Sequence, residues 1–403
     1  MGHVMCIGLN LWVNGSSPRL DSKLKLDLEN VEILASKQEE VLTWREKSHV
    51  EAIRLFADGN WEGTTRVLDD ILVEYPTDML AIKMAHNVHF FQGHLQHMRD
   101  TIGRVLPQWK PTTPLYNYLF GMYAYGLEET NFYSEAEDFC RKGLELNCKD
   151  GWATHTLAHV FEMQGRTTEG IDFLSSTVKN WELSNLLASH NFWHWALYHI
   201  EQGEVEAAVD IFDTQIGRRL HSGGFLEIVD CTSLLYRLEL EGAKVKDRWR
   251  EVLEVNRSHI EDRTVAFYDV HVFMSCLGAN DDDATNLMMN SLDEFIRENK
   301  GTYCNISADV GIKIIEALRA YHEGSYDRVV SLLYPVRYKI AQIGGSNAQR
   351  DLFNLLLIHA ALKSSDRNHH RLARSLLYER KSLKESSPMT DRLMARALAL
   401  HPA

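Results

Sequence analysis

Proline is scarce in this chain, 8 in 403 residues, and no Pro- or Ser-rich stretch separates its parts. That argues against domains strung on flexible linkers and favours one continuous architecture. Basic charge is in deficit as well: 43 Lys and Arg stand against 56 Asp and Glu, a formal net charge of −13. Nucleic acid and anionic membranes both require a positive field, so the composition leads to the expectation of no nucleic-acid and no membrane partner. Runs of about 18 apolar residues are missing, so no membrane span is expected. The six cysteines, Cys6, Cys140, Cys148, Cys231, Cys276 and Cys304, form no C-x-x-C pair. In a long chain without a secretory leader they read as free thiols, and the chain as cytoplasmic. Sustained period-two alternation is absent too, which excludes a sheet.

What the chain has is regular punctuation. Gly59, Gly93, Gly165, Gly203, Gly242, Gly278 and Gly324 each follow a helix-length apolar pattern and precede another. Gly59 and Gly93 are 34 residues apart, Gly165 and Gly203 38, Gly203 and Gly242 39, and Gly242 and Gly278 36. The double-length gap from Gly93 to Gly165 holds its turn at Glu129-Thr-Asn-Phe-Tyr133. Self-similarity at this period marks stacked helix pairs, each burying its apolar face on the next. The tetratricopeptide (TPR) template, with small residues at positions 8, 20 and 27, fits three units in register. Ala124, Ala158 and Ala196 take position 8, and Ala136, Gly170 and Ala208 take position 20. The fold class is therefore all-α, a TPR-like superhelical solenoid of stacked antiparallel helix pairs. Residues 1–403 are expected to form a single solenoid, clearest over about 60–220 and more degenerate over about 225–400.

In this register, helix positions 2, 5, 9 and 12 face the concave groove. His155, His159 and Glu162 take positions 5, 9 and 12, and His190 takes position 2. His194 falls at the groove's edge, while His86 and His89 join from the earlier unit. The pairs His155/His159 and His190/His194 are each four residues apart, which puts both rings of a pair on one helical face. Trp193 is expected to line the groove as an aromatic platform, with Trp195 in the core. Asp269 and His271 add a carboxylate and an imidazole, but a spacing of two turns them about 200° apart on a helix. Ser346-x-x-Gln349 reads as a capping box that starts a helix after Gly344-Gly345. Arg350 then has no motive from the helix dipole and is a candidate for an anionic group. Histidines with a nearby Glu are the ligand types for zinc or a related ion, so His155, His159, His190 and His194 are the metal candidates. Three readings stay open: hydrogen-bonded rings that only shape the groove, an organic-ligand or peptide site, and a metal site.

Taken together, Tyr75-Pro-Thr-Asp-Met-Leu-Ala81, Glu129-Thr-Asn-Phe-Tyr133, His155-x-x-x-His159-x-x-Glu162-Met163, His190-Asn-x-Trp193-His194-Trp195, Leu235-Tyr-Arg-Leu238 and Gly344-Gly-Ser-Asn-Ala-Gln-Arg-Asp351 form a specific set. On these residues the chain resembles the tetratricopeptide repeat protein 38 family along its whole length. Members of that family are usually longer at the N-terminus, so the resemblance implies a short form or a fragment. It also implies an intracellular helical repeat protein, with no established reaction and no catalytic residue to carry over. The functional expectation is a non-enzymatic protein that presents its groove to a protein or peptide partner. The alternative is a small-molecule or metal-dependent enzyme site in the His-rich hollow. No cofactor is named by the residues alone.

Overall fold

The computed structural model describes residues 1–12, 15–184, 187–298 and 300–400. They fold into helices from end to end, with no strand among the described residues. Two leading helices, Gly2–Trp12 and Ser22–Lys37, precede a series of stacked pairs. The pairs begin with Trp44–Ala57 on Trp61–Glu74, Met79–Phe91 on Leu95–Val105, and Tyr118–Glu129 on Tyr133–Leu146. Gly151–Met163 then pairs with Thr167–Trp181, and Ala188–Gln202 with Val205–Ile211. After Phe225–Leu240 the series runs on through Ala266–Gly278 and Asn347–Lys363 to a last helix, Pro388–Leu400. The main hydrophobic cluster follows the superhelix from Val4 to Ala397, with a small second one at Leu127, Ala136 and Val160.

Local chemistry sets the breaks. Thr43 and Glu46 form a capping box, as do Ser346 and Gln349, so each pair satisfies two otherwise free backbone donors. The turn between Tyr118–Glu129 and Tyr133–Leu146 is made by Asn131 in the left-handed region, φ 68°. Gly278 differs from expectation: it lies inside Ala266–Gly278, and Asn280 is the left-handed residue instead. Tyr326–Leu333 passes into a tight 3-10 run, Tyr334–Ile343, because Pro335 has no N–H to continue the α ladder.

The superhelix closes on itself. Thr302 donates its backbone N–H to the Gly59 carbonyl at 3.1 Å, and the Trp61 ring stacks on Tyr303. Arg350 pairs with Glu129 at 3.1 Å, across more than half the sequence. The basic residues near the C-terminus, which read as a solvated face, are partly turned inward. Lys384 reaches Glu201 at 2.9 Å, Arg380 reaches Asp351 at 2.8 Å, and Arg392 donates to the carbonyls of Ile200 and Glu201. Gly93 shows how close the approach is: φ is 66°, and a Cβ there would sit 2.0 Å from the Ala341 carbonyl oxygen. Gly93→Ala therefore meets both backbone strain and a clash with backbone that cannot swing aside. We expect it to cost about 2–3 kcal/mol, read as a lower urea midpoint with an unchanged slope. A midpoint equal to wild type would show that the closure is loose at this point. Among the described residues, no helix is long and apolar enough to cross a membrane.

Candidate metal centre

Helix Gly151–Met163 is placed by its ends and its neighbours. Asp150 caps it, accepting the N–H groups of Trp152 and Ala153 at 3.0 and 3.2 Å. On one side it packs against Tyr118–Glu129, where Gly121 leaves room: a Cβ there would lie 2.8 Å from the Ala153 nitrogen. On the other side the Tyr198 hydroxyl of Ala188–Gln202 donates to the Ala158 carbonyl at 2.7 Å. These contacts bring His155 and His159 face to face with His190 and His194.

The four rings make one cluster. Ring centroids are 4.3 Å apart for His159–His194, 4.5 Å for His155–His159, 4.8 Å for His155–His190 and 4.9 Å for His190–His194. One ring nitrogen from each residue lies within 4.8 Å of the other three. All four side chains are buried, His159 and His194 completely.

Carboxylates stand behind three of the rings. His190 Nδ1 is 2.6 Å from Asp230, His194 Nδ1 is 2.7 Å from Glu162, and His159 Nδ1 is 3.5 Å from Glu128. An imidazole that donates Nδ1–H to a carboxylate keeps its Nε2 lone pair free, and that lone pair is what a metal ion binds. The Nε2 atoms of His155 and His159 approach to 2.9 Å, while His194 Nε2 is buried and finds no partner. Burial, followed by the neighbouring imidazoles, holds His155, His159 and His194 well below the ordinary histidine range. Burial pushes the Glu162 carboxyl up to about 7 and Glu128 well above its usual range. The arrangement sets His155, His159 and His194, held toward the neutral form, in front of the desolvated carboxyls of Glu162 and Glu128.

A cavity of about 800 Å³ opens above this cluster. His155 and His190 are part of its floor, whereas His159 and His194 lie beneath. Its walls carry aromatic rings, among them Trp12, Phe56, Trp61, Phe90, Trp152 and Phe225, together with polar and charged residues such as Ser16, Glu29, Asp58 and Asn87. The volume is near the upper end of the range for small-molecule pockets.

The other expected site residues are placed as follows. His86 reaches the cavity wall beside Tyr125 and Trp152. His89 does not: it is buried beside His94 and His97, and burial lowers it to about 3. Trp193 is no platform, since it is fully buried, stacked on His190 at 5.0 Å, with its ring N–H given to Ser233 at 2.8 Å. Trp195, expected in the core, packs against it only in part. Glu162 stands behind His194 rather than beside the other rings.

Asp269 and His271 point to different surroundings, as their spacing required. Asp269 pairs with Arg263 at 2.6 Å, and His271 with the Phe267 carbonyl at 2.7 Å. Arg350 is not open to an external anion, because Glu129 and Asn347 already hold its guanidinium. The neighbouring group of Glu128, Glu129 and His159 also has metal-ligand spacing. Arg350 supplies its positive charge, so we read it as part of the shell behind His159. Sequence reasoning missed Glu128, Asp230 and Lys83. Each is a charged residue set within an apolar helical run, a signal that burial was being compensated.

No protein-family model matches the chain. Two solved structures follow a similar overall course. One is a monomeric mutant of IFIT1 with Gppp-AAAA, with a TM-score of 0.45, 14% identity, and coverage of 99% of this chain and 90% of that one. The other is the human IFIT1 dimer with m7Gppp-AAAA, with a TM-score of 0.44, 14% identity, and coverage of 100% and 94%. At the coarse level this chain is a TPR-like solenoid. Both IFIT1 structures carry a nucleic-acid ligand, and the expectation of no nucleic-acid partner for this chain does not stand, since net charge alone cannot carry it. Net charge sums over the whole surface, whereas a phosphate backbone is held by the local field of a groove. A total of −13 therefore excludes nothing at this level.

Proposed function

We propose that this protein is a metal-dependent enzyme of small organic molecules, with its reaction centre in the closed interior of the superhelix. The observation that supports this reading is the convergence of His155, His159, His190 and His194, backed by carboxylates, on the floor of an 800 Å³ cavity. Imidazole-only donors suit zinc, copper, iron or nickel rather than magnesium or calcium. Bound there, such an ion supplies Lewis acidity and lowers the proton affinity of coordinated water. The protein's own groups do the rest: Asp230 and Glu162 orient His190 and His194, and the aromatic walls exclude bulk water. The peptide-groove reading fares worse, because the groove histidines are covered rather than offered to an extended chain. In this proposal residues 1–403 act as one unit of the tetratricopeptide repeat protein 38 family in a reducing compartment. None of the six cysteines forms a disulfide among the described residues and four of them are buried, which suits that setting.

The test is elemental analysis and metal titration of the purified protein. Wild type is expected to hold about one transition-metal ion per chain after dialysis, removable by a strong chelator. Asp230→Asn should weaken that affinity by about ten- to a hundredfold, the usual cost of losing a carboxylate behind a ligating histidine. A chain that takes up none of zinc, copper, iron, nickel, cobalt or manganese would end this reading.

A further inference from the structure

Lys83 is the feature of the cavity that the metal site leaves unexplained. It lies on Met79–Phe91, in a stretch that is otherwise apolar on both sides. Its ammonium nitrogen is cut off from bulk solvent and has no hydrogen-bond partner. Among the described residues, the group placed over it is an aromatic face, the Trp152 ring, with 4.1 Å from nitrogen to centroid. Other cations on the lining are differently placed. Arg263 is paired with Asp269, Arg54 with Glu51 and Asp58, Arg19 donates to the carbonyls of Glu261 and Asp262, and Lys25 and Lys300 are exposed. Trp152 in turn touches His155 edge-on at 5.5 Å, so one ring separates the ammonium from the histidine cluster.

We propose that Lys83 is the anion-binding residue of this cavity, and that the cavity takes a small organic acid: an apolar, largely aromatic body with one carboxylate. The inference rests on the reading of the cavity as a substrate site. A buried ammonium without a counter-ion is costly, and a ligand carboxylate removes that cost while making a charge-assisted hydrogen bond. The rings of Trp61, Phe90 and Trp152 ask for an apolar body beside Lys83, whereas the charges of Lys25, Glu29, Glu32, Asp58 and Lys300 on the same lining are exposed to solvent. Carboxylate on Lys83 and body on the aromatic walls leave the atoms next to the carboxylate over His155 and His190. That is where a metal-assisted step would act. Burial lowers Lys83 to about 8, so it still carries its charge for most molecules at neutral pH.

The experiment uses 1-pyrenebutyrate as the probe and 1-pyrenebutanol as its neutral match, followed by pyrene fluorescence. Binding is measured on the full chain, metal-loaded and chelator-stripped, for wild type, Lys83→Met and Lys83→Arg. Wild type should prefer the acid over the alcohol by about ten- to a hundredfold, in both metal states. Lys83→Met should abolish that preference while leaving the alcohol affinity and the metal content unchanged. Lys83→Arg should retain it, which separates loss of charge from loss of fold. Equal binding of acid and alcohol by wild type would overturn the proposal, as would failure of both to bind. So would an acid preference that survives Lys83→Met but vanishes on chelation, since the carboxylate would then sit on the metal. A Lys83-dependent preference in a chain that never binds metal would sink the metal centre alone and leave this inference standing.

Discussion

Replacing His159 and His194 together with alanine should abolish metal binding while the helices remain. Both rings are completely buried beneath the cavity floor, 4.3 Å apart, each with a carboxylate behind it. Four-ligand sites of this type bind with about 10–16 kcal/mol, or about 3–4 kcal/mol per donor. Loss of one imidazole should therefore weaken binding by about a hundred- to a thousandfold, and loss of two should take it beyond detection. The measurement is metal content after dialysis, with circular dichroism as the check on helix content. Retention of stoichiometric metal would move the centre elsewhere. Removing the rings also takes from Glu162 and Glu128 the imidazoles they stand behind, so some loss of stability is expected alongside.

The second large effect is expected at Arg263, on the cavity wall. Its side chain is fully buried, pairs with Asp269 at 2.6 Å and sits in the left-handed region at φ 50°. Burial pushes the Asp269 carboxyl above its ordinary range, and the Arg263 charge is the chief opposing influence. Arg263→Met leaves that carboxylate buried with the Tyr303 hydroxyl as its remaining polar contact. Breaking a buried pair in this way typically costs about 3–5 kcal/mol, mostly because the other charge is stranded. Urea unfolding of the variant reads the loss. Because the cost lies in the stranded charge, the Arg263→Met/Asp269→Asn double variant should recover much of it. A double variant no better than the single would show that Arg263 acts through its fold-over onto the Ile260 carbonyl instead.

The helical repeat was legible in the sequence because its cause is local. Gly59, Gly93, Gly165, Gly203, Gly242 and Gly324 take positive φ, which costs glycine nothing, and each ends a helix. The Ser346–Gln349 box is equally local, three residues apart, and forms as read. Spacing also put each histidine pair on one face of its own helix. How the pairs meet was not legible. Centroid distances of 4.3–4.9 Å depend on Gly121 admitting Ala153, and on Tyr198 reaching the Ala158 carbonyl from the next unit.

Trp193 and Arg350 mark the limit most clearly. Repeat register placed Trp193 toward the groove, whereas the side chain is fully buried and is not on the cavity lining. The chain then closes over it, so Ser233 and Arg237 of the Phe225–Leu240 helix become its surroundings. For Arg350, no helical motive was visible in the sequence because its partner, Glu129, lies 221 residues away. Sequence alone determined the helices, their period and the side chains on each helical face, since these follow from residues within one or two turns of each other. Only the tertiary structure decided that the groove deepens into a cavity, which rings meet, and which charges are already paired. Those outcomes depend on curvature summed over many helix pairs, and no local stretch of the chain encodes that sum.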